Sequence, residues 1–116
     1  MPDVLITLRD ALRTFAAERD WEQFHTPRNL AVALTVEAGE LLEHFQWMDE
    51  LASTQLDAAK RQQIGEEMAD VLLYLIRLSD KLDVDLADAA RHKLQLNAQK
   101  YPAEKVRGSS KKYTQY

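Results

Sequence analysis

The 116-residue chain contains no cysteine. Disulfides, zinc–thiolate sites and thiol nucleophiles are therefore excluded, and the fold needs no oxidising compartment. Glycine and proline number only three each, too few for a loop-rich or low-complexity protein. No window approaches the roughly 18 uninterrupted apolar residues of a membrane span. The opening MPDVLITLRDALR lacks a basic stretch ahead of an apolar one, so no signal peptide is expected either. Positive charge is also short, the net charge being −4. This speaks against general nucleic-acid binding, although a local basic patch could still hold a polyanion. The expectation is a cytoplasmic protein that uses neither membrane nor nucleic acid.

What is present is helical. Of the residues 46% are hydrophobic, enough for one compact domain. Four segments show the 3.6-residue period and none shows sustained apolar/polar alternation, so the chain reads as four helices and no sheet. The first runs from about Asp3, a suitable cap, to Phe24, with Leu5, Leu8, Leu12 and Phe15 on one stripe. HTPRN interrupts it, because Pro27 disfavours helical geometry at Thr26 but suits the first turn of a new helix. The second helix continues to about Met48. DELASTQLDAAKRQQ starts as a polar connector and becomes a third helix from Ser53–Lys60 to about Leu82, with Gly65 weakening its continuity. Asp85 caps the last helix, which ends near Tyr101 and Pro102. Residues 1–104 thus form the helical domain and 105–116 a basic, flexible tail.

Carboxylates stand in these apolar patterns. In the second helix Leu30, Leu34, Glu37, Leu41, His44 and Met48 follow a packing stripe with Glu37 in its middle, and Glu40 lies one step aside between Val36 and Trp47. In the third, Met68 to Ile76 is uncharged except for Asp70, and Glu67 lies one turn earlier between Ile64 and Val71. On a solvated face, like charges at this spacing cost only about 0.2–0.5 kcal/mol per pair. At the margin of a dry core, each unpaired carboxylate costs several kcal/mol or stays protonated. Lysine and arginine are nearly absent nearby, Arg77 being the nearest on the third helix. The economical counter-charge is a divalent cation, and oxygen-only donors suit Mg²⁺ or Mn²⁺. A di-iron bundle would need two Glu-x-x-His pairs; the chain offers one, Glu22-x-x-His25, at a helix end.

ERDWEQFHTPRNLAVALTVEAGELLEHFQW, EEMADVLLYLIRL and NAQKYP…SSKKYT together resemble the MazG-like all-α nucleotide pyrophosphohydrolases, most closely those acting on dCTP. The similarity extends from about Phe15 to Thr114. It implies a four-helix MazG-like bundle that hydrolyses a nucleoside triphosphate to monophosphate and pyrophosphate with Mg²⁺. On the family's pattern Glu37, Glu40, Glu67 and Asp70 hold the metal. A carboxylate not fully committed to the metal can take the water's proton, a role expected of Glu40, with Glu43 expected to support the ligands. Trp21 and Trp47 match positions that contact the nucleobase, and His25 matches another pocket position. Tyr74 is placed to lie against the deoxyribose. Lys93 and Asn97 match nucleotide-binding residues and share a helical stripe with Lys100. The tail, with Lys105, Arg107, Lys111 and Lys112, is expected to fold over the triphosphate. Leu12 departs from the pattern, standing where vertebrate relatives carry a histidine that touches the nucleotide.

Taken alone, the tryptophans read as packing, Tyr74 as core, and Lys93, Asn97 and Lys100 as ordinary surface side chains. His44 and His92 carry no expected function. The third helix has more apolar surface than one neighbour can cover, so a homo-oligomer is expected, on the family's pattern a tetramer of two dimers. The competing reading is a non-catalytic helical module that binds nucleotide or metal.

Overall fold

A computed structural model describes residues 3–108. Among them every regular element is helical, as the periodicity requires. Helix α1 (Val4–Glu18) is capped by Asp3, whose carboxylate accepts from the Leu5 amide at 2.9 Å. It ends six residues before Phe24, the end expected from the sequence. At Asp20 the backbone turns left-handed (φ 56°), and the amides of Asp20 and Trp21 bond back to Ala17 and Ala16 at 3.2 and 2.9 Å. This is the Schellman arrangement that satisfies the last helical carbonyls. A short 3-10 turn (Glu22–Phe24) follows.

Helix α2 (Pro27–Glu43) starts where Pro27 predicts, with the Thr26 hydroxyl accepting from the Asn29 amide at 3.2 Å. It stops at Glu43 rather than Met48, and turns carry the chain through Trp47. The polar connector contains a helical turn, α3 (Glu50–Ser53), and the third long helix, α4 (Ala58–Lys81), starts only after Asp57 caps it. Gly65 does not interrupt α4. Another left-handed aspartate, Asp83 (φ 54°), ends α4 with amide bonds from Asp83 to Asp80 and from Val84 to Ser79.

Residues up to Val84 form one compact unit and those from Asp85 another. In the first, α4 packs against both α2 and α1. Its fully covered apolar side chains are Ala16 of α1, Leu30 of α2, and Ile64 and Ile76 of α4. Leu30 precedes Glu37 by two turns and Ile64 precedes Glu67 by one, so the acids extend the buried stripes. The second unit holds α5 (Leu86–Lys100), capped by Asp85 as expected, and a turn, α6 (Ala103–Val106). That turn occupies the start of the segment expected to be flexible. No helix among the described residues is long and apolar enough to cross a membrane.

Candidate active site

Packing of α2 on α4 brings Glu37, Glu67 and Asp70 together, with one ligand oxygen from each within 4.8 Å of the others. Glu37 and Glu67 are half-buried and Asp70 is exposed. Glu37 Oε2 and Glu67 Oε2 are shielded from solvent and have no hydrogen-bond donor. Two carboxylates can bond to each other only if one keeps a proton. Glu37 accordingly titrates at about 7, raised by hydrogen bonding with Glu40, then by burial, by Glu67, and by the charges of Glu40 and Asp70. Glu40 thus adjoins the trio through Glu37. Buried oxygens without donors, around a shared proton, are the environment that a hard divalent cation relieves. The donor set therefore fits a metal bound by oxygen.

Asp70 also borders an apolar cleft of about 450 Å³ between α1 and α4. Leu8, Leu12 and Phe15 form one wall, and Leu73 and Tyr74 belong to the other. Trp21 and His25 also line it. The left-handed turn at Asp20 brings Trp21 back onto α1, where its indole meets Phe15 edge-on at 5.7 Å between centroids. The cleft's volume and mainly apolar lining with a few polar groups are those of a small-molecule site. Leu12, the departure from the family's pattern, lies in this lining.

Sequence reading missed the support behind the cleft. Arg77 is only 4% exposed, and its guanidinium meets Glu22, His25 and Asp80. Arg13 of α1 grips Asp80 with two bonds of 2.6 and 2.8 Å, and Lys81 pairs with Glu22. Hydrogen bonds from Lys81 and Arg77 hold Glu22 below the usual carboxylate range, and the bond from Arg13 does the same for Asp80. The Glu22-x-x-His25 pair, which could have suggested iron, holds a guanidinium instead. That pair was the sequence signal for the network, but its partner lies 55 residues away from Glu22.

The remaining expected residues lie on other segments of the chain. Trp47 follows α2 and is 88% exposed, and Glu43 is exposed at the end of α2. Lys93, Asn97 and Lys100 lie on α5, in the second unit, with Asn97 half-buried. His44 is half-buried after α2 and His92 is exposed on α5. Lys105 and Arg107 are exposed, whereas Lys111 and Lys112 lie outside the described residues.

Residues 32–115 match the model of the MazG-like family. The dCTP pyrophosphatase 1 of Homo sapiens is 47% identical, the match covering 94% of this chain and 67% of that protein. The Mus musculus dCTP pyrophosphatase 1 is 48% identical, with 93% and 66% covered. The chain therefore spans about two thirds of the length of these curated relatives. A crystal structure of a pyrophosphatase from Archaeoglobus fulgidus DSM 4304 aligns with a TM-score of 0.82 at 37% identity, covering 88% of this chain and 95% of that one.

Proposed function

This chain belongs to the MazG-like family, and from that premise we propose that it is a nucleotide pyrophosphohydrolase. It converts a nucleoside triphosphate, dCTP or a modified dCTP, to the monophosphate and pyrophosphate. The observation that carries this reading is the double position of Asp70. One carboxylate belongs both to the acidic trio and to the rim of the aromatic cleft. A base held in the cleft would leave its phosphates at the acids.

Glu37, Glu40, Glu67 and Asp70 would hold Mg²⁺, with Mn²⁺ an acceptable substitute. When bound, such an ion supplies charge neutralisation for phosphate oxygens and a more acidic water. The chain's own residues do the rest. Water attacks the α-phosphorus, the bond to the bridging oxygen of the β-phosphate breaks, and pyrophosphate leaves. Glu40, next to Glu37 but outside the trio's closest oxygens, takes the water's proton. Trp21 and Tyr74 flank base and deoxyribose, where a flat ring adds about 1–3 kcal/mol by stacking. His25 completes the base pocket, and Trp47 adds a second indole to it. Lys93, Asn97 and Lys100 serve the phosphates or the base, and residues 105–116 form a basic tail to the 1–104 domain. The enzyme works in the cytoplasm as a homo-oligomer, a tetramer by our reading.

Pyrophosphate release from dCTP, assayed across canonical and modified triphosphates, tests the proposal. Release should need Mg²⁺ or Mn²⁺ and stop with a chelator. Glu40→Gln should lower kcat by about a hundredfold or more with an unchanged circular dichroism spectrum. Tight stoichiometric nucleotide binding without turnover would instead identify a binding module.

A further inference from the structure

His25 and Arg77 form an arrangement that the hydrolytic steps above do not use. A guanidinium carries five N–H donors and no acceptor, so Arg77 can only donate. Its Nε donates to His25 Nδ1 at 3.0 Å. Its terminal nitrogens donate to Glu22 Oε1 and, at 3.5 Å, to Asp80 Oδ2. Those two acids are themselves held by Lys81 and Arg13. The guanidinium is therefore fixed by three groups, Glu22 of the 3-10 turn, His25 just after it and Asp80 of α4.

A ring nitrogen that accepts from a guanidinium cannot carry a proton of its own. The neutral imidazole must then carry its proton on Nε2. Burial first, and then the charge of Arg77, hold His25 below the usual histidine range; Lys81 acts in the same direction and Glu22 opposes it. Nε2–H has no acceptor among the described residues, and the ring lines the cleft 6.2 Å from the Trp21 indole.

We propose that Arg77 is a positioning residue for ligand selection: it fixes His25 as a one-way N–H donor, so the cleft favours heterocycles that turn a ring carbonyl or an unprotonated ring nitrogen towards it. This rests on the cleft being the base site of the proposed reaction. An exocyclic amino group, itself a donor, would meet the Nε2 proton unfavourably. With the opposite tautomer that preference would reverse. Recognition of a pyrimidine then runs through its carbonyl and ring-nitrogen edge, and the network around Arg77 is a determinant of base choice rather than a plain structural clamp.

Nitrogen-15 NMR of the histidine side chains in the whole protein reads the tautomer directly. Wild type should show His25 with bare Nδ1 and protonated Nε2 from about pH 6 to 8, and dCTP added in a chelator should shift the Nε2–H resonance. In Arg77→Leu the tautomers should mix and KM should rise about tenfold, with kcat changed by less than about threefold, as expected for one lost binding interaction. Arg77→Lys keeps the charge beside Glu22 but lacks the planar fork, and should mix the tautomers too. If Arg77→Leu does not fold, the wild-type spectrum and the lysine variant decide. A wild-type His25 protonated at Nδ1, an Nε2–H resonance unmoved by dCTP, or an unchanged KM in folded variants would overturn the proposal. Absence of pyrophosphate release with an Nε2–H shift still present would instead defeat the hydrolytic reading alone.

Discussion

Glu37 makes metal-free stability depend on pH in an unusual direction. Its pKa is raised to about 7 in the folded chain, so the native state binds this proton more tightly than the unfolded chain does. The resulting stabilisation is complete below the ordinary glutamate value and is lost as pH rises through about 7. Glu22 and Asp80 have lowered values. Their contribution is present above the ordinary carboxylate range and is lost as pH falls through their folded values. Thermal melts in a chelator should therefore peak near about pH 5 and decline on both sides. Mg²⁺ should restore stability on the neutral side, because it competes for the same oxygens once they are deprotonated. Glu37→Gln should flatten the neutral decline and abolish the Mg²⁺ gain; a decline unchanged in that variant would refute the assignment. The acids were legible from the sequence because Glu37 and Glu67 interrupt apolar stripes whose spacing gives away burial. Arg77 was not, since nothing local to α4 indicates that Glu22, 55 residues earlier, waits for it.

Caps and periodicity make the helices legible, but not those of their ends where the stop signal is chemically quiet. Asp3, Thr26 and Asp85 each cap a helix where side-chain chemistry says they should. Asp20 and Asp83 end helices by going left-handed, a role that usually falls to glycine. An aspartate gives no such notice in a sequence, which is why the expected end at Phe24 lies beyond the observed one at Glu18. Its left-handed backbone costs roughly 1–2 kcal/mol relative to a right-handed one. Asp83→Gly should therefore stabilise the chain by about 0.5–1 kcal/mol, after allowing for the extra freedom glycine gives the unfolded state. A rise of a few degrees in melting temperature with unchanged dCTP turnover would bear this out. A fall would show that the Asp83 side chain contributes something its backbone does not reveal.

Across the whole molecule, the apolar surface left uncovered bears on assembly. Val32 and Val36 of α2, and Met68 and Leu72 of α4, are exposed large apolar side chains, Val36 at 54% and Met68 at 57%. Within each helix the two members are four residues apart, so each pair makes a short stripe. Trp47, expected at the base site, is more exposed still. A second copy of the chain is the partner we propose, because symmetric burial covers the same stripes on both copies at once. Trp21 and Asp70 already share a cleft within one chain, so assembly is not needed to bring them together. Its role would be to cover α2 and α4 and to bring Trp47 from the surface into a packed setting. Light scattering at micromolar concentration should then give a mass about four times the 13.3 kDa of the chain. Met68→Lys should lower that mass, because a charge buried at the interface costs several kcal/mol, and should weaken the dependence of melting temperature on protein concentration that the wild-type oligomer shows. A wild-type mass of 13.3 kDa would remove the tetramer. The trio and the cleft between α1 and α4 would remain, since the residues of both lie within one chain.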